Sequence, residues 1–198
     1  MEIHPITLTG RVVRLEPLSR AHIPALWAAG SDPSIWRHMV YGTISSLKDM
    51  EAWVELLLSR QGEGTDLPFV VHHLLSGIIV GATRYMDIHP EHRGLEIGGT
   101  WYSPDFQRSA VNTECKYLLL KYAFEQMGCV RVQFKTDLRN ERSQRALERI
   151  GAVKEGILRN HIITPEGYLR DSVFYSIIDR EWPAVKIHLK TLLNTGLF

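Results

Sequence analysis

From Arg11 to Leu18 apolar and charged positions alternate, Val13 and Leu15 against Arg14 and Glu16, and the run stops at a proline. That pattern predicts a first strand. Ser19 stands where it would cap a helix over residues 21–29, closed by Gly30. After an aromatic-rich turn segment, Ser31 to Gly42, Ser46 and Asp49 lie three apart ahead of Trp53, Val54, Leu57 and Leu58. This is a loosened capping box opening a second helix. Residues 67–75 and 78–86 read as a strand pair joined at Ser76-Gly77, and a turn from His89 to Gly94 leads into a further strand, Leu95 to Tyr102.

The stretch from Trp101 to Gly128 organises the remainder. A strand end, a turn at Pro104-Asp105 and a short polar loop feed one long amphipathic helix. Its polar side is expected at Glu114, Tyr117, Lys121 and Glu125. Leu118, Leu119, Tyr122, Ala123 and Met127 fill the apolar face, and Gly128 is the left-handed cap. The first-turn N–H groups of such a helix have no intrahelical partners and the peptide dipoles add positive potential, so its mouth is a seat for phosphate. Beyond it, Val130 to Thr136 alternates as a strand. Asn140 caps a short helix with Ala146, Leu147 and Ile150 inward. Two strands, residues 153–163 and 169–178, are hinged at Thr164 to Gly167. Asp179 and Pro183 open a last helix, whose Val185, Leu189, Leu192 and Leu193 are expected to pack on their own domain. The order β-α-α-β-β-β-α-β-α-β-β plus a C-terminal helix predicts an α/β protein around one mixed sheet, a single domain over residues 1–198.

Composition narrows the picture only a little. The 198 residues suffice for one well-cored domain, with 44% hydrophobic and 23% charged residues and a formal net charge of +1. That balance argues against a broad nucleic-acid surface. No apolar run reaches membrane length and no signal pattern opens the chain, so no membrane partner and a cytoplasmic location are expected. Cys115 and Cys129 are expected reduced.

The strand Leu95 to Tyr102, the Pro104-Asp105 turn and the loop Gln107-Arg108-Ser109-Ala110-Val111-Asn112 resemble the signature of the GCN5-related N-acetyltransferases (GNAT). The likeness is greatest to the branch of ribosomal-protein alanine (RimJ/RimL-like) acetyltransferases. In the family this loop reads Gln/Arg-x-x-Gly-x-Gly/Ala. Here both glycines are replaced, by Ala110 and Asn112, and asparagine is the substitute that best tolerates a left-handed backbone. The order of elements agrees with the family over nearly the whole chain.

The resemblance implies transfer of the acetyl group of acetyl-CoA to a primary amine by direct attack on the thioester, with no metal. Residues Gln107, Arg108, Ser109, Ala110, Val111, Asn112 and Thr113 would cradle the pyrophosphate. Backbone groups of Trp101, Tyr102 and Ser103 would pair with the pantetheine arm. Glu96, expected to project alone from one sheet face, is the candidate base. The family's leaving-group tyrosine is replaced by Leu147. Asn140-Glu141-Arg142-Ser143 instead resembles the Asn-x-x-Ser of the branch, with Ser143 meeting the sulfur and Asn140 the cofactor arm; the same residues also read as a helix cap. Trp36, His38 and Tyr41 could line the acceptor cleft or anchor a loop. His161 is a candidate acceptor contact, and Asp171 with Tyr175 a weaker one.

The resemblance implies as acceptor a protein or peptide α-amine, or a small amine or amino acid, and a monomer or homodimer is expected. A non-catalytic acyl-CoA-binding regulator with a degenerate loop is the reading from a different class. His89-Pro-Glu-His92 and His72-His73 lack metal-ligand spacing, Cys115 lacks a base partner, and no phosphate-loop or dinucleotide motif occurs.

Overall fold

The computed structural model describes Met1 and residues 3–196. Its strands are β1 (Leu8–Thr9), β2 (Val13–Pro17), β3 (Leu67–His73), β4 (Ile78–His89), β5 (Gly94–Tyr102), β6 (Arg131–Asp137), β7 (Val153–Ile163) and β8 (Leu169–Ile178). Its helices are α1 (Ile23–Ala29), α2 (Leu47–Gly62), α3 (Ala110–Glu125), α4 (Glu141–Arg149) and α5 (Trp182–Thr195). The expected order therefore holds, with the two-residue β1 added in front. All eight strands form one mixed sheet in the order β1-β2-β3-β4-β5-β6-β8-β7.

Local chemistry sets the helix ends. Ser46 Oγ accepts the Asp49 N–H at 3.1 Å, while the Asp49 carboxylate reaches back to the N–H and hydroxyl of Ser45, one residue earlier than a standard box. Ser19 opens a 3-10 turn, Arg20–His22, before α1 proper begins at Ile23. Gly128 takes φ +68° and the Cys129 N–H closes on the Ala123 carbonyl, as expected of a left-handed cap.

Two apolar layers cover the sheet. One packs α3 and α5 on it through Leu119, Leu120, Phe134, Tyr175 and Leu189; the other packs α1 and α2 through Leu26, Met50, Trp53, Val70 and Trp101. Because α3 meets the sheet, the N-terminal strands and α5 at once, it is buried beyond the expected face. Glu114 and Lys116 are both interior. Glu114 survives burial because its carboxylate accepts three backbone N–H groups, of Arg11, Val12 and Val13, at 2.6–2.9 Å. No helix among the described residues is long and apolar enough to cross a membrane.

The feature that makes a site is a failure of strand pairing. Every neighbouring pair is antiparallel except β5 and β6, which run parallel and pair only at Gly94–Arg131, Leu95–Val132 and Glu96–Gln133. Past Glu96 the two strands separate and leave a wedge. On its other side β5 carries one extra residue against β4, between the pairs Arg84–Gly98 and Ala82–Trp101. Gly99, at φ +56°, supplies the left-handed residue this bulge needs.

Candidate active site

A cavity of about 530 Å³ fills the wedge. Its floor is the bulged part of β5 together with Phe134, Lys135 and Thr136 of β6. One wall is the mouth of α3 and the face of α4; the other is the connection between α1 and α2.

On the α3–α4 side the loop ends with Arg108 at φ +56°, followed by Ser109 in an extended conformation. Ser109 Oγ caps α3 by accepting the Val111 N–H at 3.3 Å and donates to the Phe106 carbonyl at 2.7 Å. The left-handed residue is thus Arg108, and Asn112, expected to take that role, is helical. Its side chain meets the cavity, with Oδ1 accepting the Tyr102 hydroxyl at 3.3 Å. Gln107 bridges the wall, donating to the Tyr102 carbonyl at 2.9 Å and accepting from Arg142 at 2.6 Å. Asn140 Oδ1 caps α4 by accepting the Ser143 N–H at 3.1 Å, and both residues line the cavity. Arg142, Arg145 and Arg149 line it from successive turns of α4, with Arg149 donating to Thr113 Oγ1 at 3.0 Å. Together with the α3 N-terminus this forms a basic, donor-rich mouth suited to phosphate.

Several of the residues expected to contact the cofactor present no side chain to the cavity. Val111 and Thr113 are buried, the first in the α3 core and the second under Arg149. Ala110 begins the helix without lining the cavity, and the Ser103 N–H is held by the Val80 carbonyl. For Val111 and Thr113 the cause is shared: once α3 starts at Ala110, its inward turn faces the sheet.

Glu96 sits where β5 and β6 part, and it is not alone. It is 1% exposed, accepts the Gln133 amide at 3.2 Å and pairs with Lys135 at 3.1 Å. β6 lies parallel and in register beside it, so Gln133 falls directly opposite. Its other oxygen stays uncovered because position 98 is glycine, whose Cβ would stand 2.8 Å away. Lys116, on the helix side of β5, donates to Thr100 Oγ1 at 2.8 Å, and Thr100 in turn meets Thr83 Oγ1. Burial lowers the Lys116 ammonium to about 8, against smaller raising effects of Cys115 and Glu96.

On the acceptor side His38 and Tyr41 line the cavity but Trp36 does not. Its indole is 1% exposed, donates to the Gly30 carbonyl at 2.8 Å, and packs on Tyr41, Trp53 and Trp101. It anchors the segment from behind. Burial pushes the Tyr41 phenol up to about 12. His161 is exposed on β7, edge-on to Phe174 and outside this cavity; burial, then Lys135 and Arg170, lower its pKa. It borders a neighbouring groove that shares Lys135. Tyr175 faces the α3 layer and donates to Glu148, and Asp171 accepts the Asn160 N–H, so neither meets the cavity. Buried Cys115, its thiol pushed up to about 12, is no thiolate nucleophile.

The charge of the lining escaped sequence reading. Glu96 is the carboxylate there, against Arg84, Arg108, Lys116, Lys135, Arg142, Arg145, Arg149 and Arg170. Only the arginines of α4 left a signal, their spacing along one helix face, and that also suits a solvated surface. Away from the cavity, Glu16, His22 and His72 bring ligand atoms within 4.8 Å of one another. His22 Nδ1 accepts the Ser19 N–H at 3.1 Å, which leaves the proton on Nε2, and Arg14 already pairs with Glu16. This is a hydrogen-bonded cluster and not a ligand set.

Comparison with known proteins agrees with this architecture. The acetyltransferase (GNAT) domain profile matches residues 13–153. The provisionally named ribosomal N-acetyltransferase YdaF of Bacillus subtilis (strain 168) is 32% identical over 113 residues, 57% of this chain and 61% of its own length. The crystal structure of a provisional acetyltransferase from T. thermophilus is 41% identical, with a TM-score of 0.89 over 98% of this chain and 100% of that one. Mycobacterium smegmatis RimJ in complex with CoA-disulfide shares the fold at 21% identity, with a TM-score of 0.80 over 98% and 96% of the two chains. A basic wedge between two parted parallel strands and a family profile spanning most of the chain lead to one conclusion: this protein belongs to the GNAT acetyltransferase family.

Proposed function

We propose that the chain is an acetyl-CoA-dependent N-acetyltransferase whose acceptor is a primary amine, a protein or peptide N-terminal α-amine, attacking the thioester directly. The observation that carries this is the single cavity joining the basic α3–α4 mouth to Glu96 through the parted strands. The residues fit the coenzyme. Arginines from the loop and α4 converge with the α3 N-terminus, and the bulge leaves strand backbone groups without partners in β4. Bound there, the coenzyme supplies the activated acetyl group.

Within this reading Arg108, Arg142 and Arg145 bind its phosphates with the α3 amides, and the β5 backbone from Gly99 to Trp101 orients its arm. Glu96 accepts the amine proton, held in place by Gln133 and Lys135. Ser143, with Asn140 fixing the start of α4, faces the departing sulfur. A free α-amine titrates near pH 8, against about 10.4 for a lysine side chain, so it asks less of the base. The ribosomal N-acetyltransferase name of the Bacillus relative and the coenzyme in the RimJ structure support the same reading.

Melting with and without acetyl-CoA tests the first half. A saturating ligand that binds only the native state raises the midpoint, by about 2.7 kcal/mol of stability at a hundredfold excess over Kd. Thiol release against a panel of amines then tests transfer. Glu96→Gln is expected to lower kcat about a hundredfold with lysine-like acceptors and less with α-amines. An unshifted midpoint would leave a scaffold without the coenzyme, and equal turnover by Glu96→Gln would remove the base.

A further inference from the structure

The acceptor half of the cavity holds donors that nothing above employs. The Tyr41 hydroxyl proton, Trp101 Nε1 and Arg84 Nη1 are buried without an acceptor among the described residues, and all three residues line the cavity; Trp53 Nε1, behind them, lies against the Tyr41 oxygen and leaves the phenol's own proton to donate. Arg84 is 3% exposed and its guanidinium faces Asp66 at 2.9 Å on the Nε side. It lies flat beneath Gly99, where a Cβ would stand 3.1 Å from both Cζ and Nη1, so the bulge glycine keeps that edge open. Tyr41 and Trp101 are held by packing against Trp36 and Trp53.

Two facts define what such a recess takes. An indole N–H and a guanidinium N–H can only donate, and a phenol can donate, so the missing atom is an acceptor, an oxygen. Arg84 is already neutralised by a buried carboxylate, so a second carboxylate would place like charges together, whereas an amide carbonyl satisfies the donors without adding charge. Position then ties the recess to the reaction. Arg84 is opposite Gly98 and Met86 is opposite Glu96, so Arg84 and Glu96 are diagonal neighbours on one sheet face. Such neighbours are about 7–8 Å apart, room for an amine at one and the carbonyl of the same residue near the other.

Resting on the acetyltransferase reading, we propose that Arg84, Tyr41 and Trp101 receive the carbonyl oxygen of the residue bearing the reacting amine, which makes the acceptor a peptide α-amine. A polyamine or a lysine side chain carries no such oxygen and leaves the three donors unmet.

Three acceptors of matched reach test this: an alanyl dipeptide amide, free alanine and isopropylamine. Binding is measured by titration with and without coenzyme A, and KM and kcat by thiol release, for the wild type, Tyr41→Phe and Arg84→Lys. The peptide amide is expected to bind at least about tenfold more tightly than isopropylamine, the factor of one good hydrogen bond. Tyr41→Phe should erase most of that preference through KM, raising KM for the peptide amide by more than it raises KM for isopropylamine; Arg84→Lys, which keeps the charge facing Asp66, should do the same. Equal affinity for isopropylamine and the peptide amide, tighter binding of free alanine, or a Tyr41→Phe loss equal for all three acceptors would overturn the proposal. Failure of coenzyme binding would instead strike the acetyltransferase reading, since the titrations without coenzyme still report the recess.

Discussion

Lys116 shows what a single residue gains from position. A lysine near the start of an amphipathic helix ordinarily reaches solvent, but this one points at the sheet and its ammonium ends beneath Thr100, over the Phe134 ring. Its folded pKa, about 8, lies below the ordinary 10.5. Below pH 8 the native protein therefore carries a buried ammonium at a cost. Between about 8 and 10.5 the unfolded chain remains protonated while the native one does not, so this residue makes stability rise with pH through that window. Lys116→Met should remove the penalty, about 3 kcal/mol at pH 7 on this linkage. Urea midpoints at pH 7 and pH 10 should show the variant's advantage shrinking as pH rises; a constant difference would mean that folding does not shift the lysine's pKa. The residue scale is also where sequence reading was weakest. Glu96 could be assigned to a face from alternation, but the Gln133 and Lys135 beside it come from a strand that is more than thirty positions away.

At the scale of elements, α4 carries more of the site than its sequence declares. The cap expected at Asn140 is present, made through the Ser143 N–H, and both residues line the cavity. Arg142 and Arg145 lie on the exposed side of the same helix, against the cavity mouth. The double change Arg142→Ala/Arg145→Ala is expected to weaken coenzyme A binding about tenfold or more at low salt, and less at high salt. Both side chains are exposed, so unfolding free energy should move by no more than about 0.5 kcal/mol. Calorimetric titration at two ionic strengths measures this, and unchanged affinity would remove α4 from the phosphate seat. The loop before α3 teaches the converse. Of the two residues in place of the family glycines, Asn112 is the one that tolerates a left-handed backbone, yet the chain turns at Arg108, because Ser109 caps the helix one residue before Ala110.

Across the whole molecule, Glu114 ties the first strands to the central helix. Its carboxylate accepts the N–H groups of Arg11, Val12 and Val13, near the N-terminus and more than a hundred positions earlier in the chain. Glu114→Ala leaves those donors unmet in the interior and is expected to destabilise the fold by about 3 kcal/mol or more. Urea denaturation measures the loss, and hydrogen exchange should show β1 and β2 losing protection first; a change under about 1 kcal/mol would mean that water replaces the carboxylate.

Order and type of the elements, the caps at Ser46, Asn140 and Gly128 and the strand–loop–helix signature were determined by the sequence alone, since each is written in residues a few positions apart. The parting of β5 from β6, the burial of Lys116 and Glu114, the withdrawal of Trp36 behind the cavity and the meeting of Arg84, Tyr41 and Trp101 were decided only by tertiary structure. Strand register and the packing of one layer on another join residues distant in the chain, and no local pattern of apolar and polar positions encodes which of them will meet.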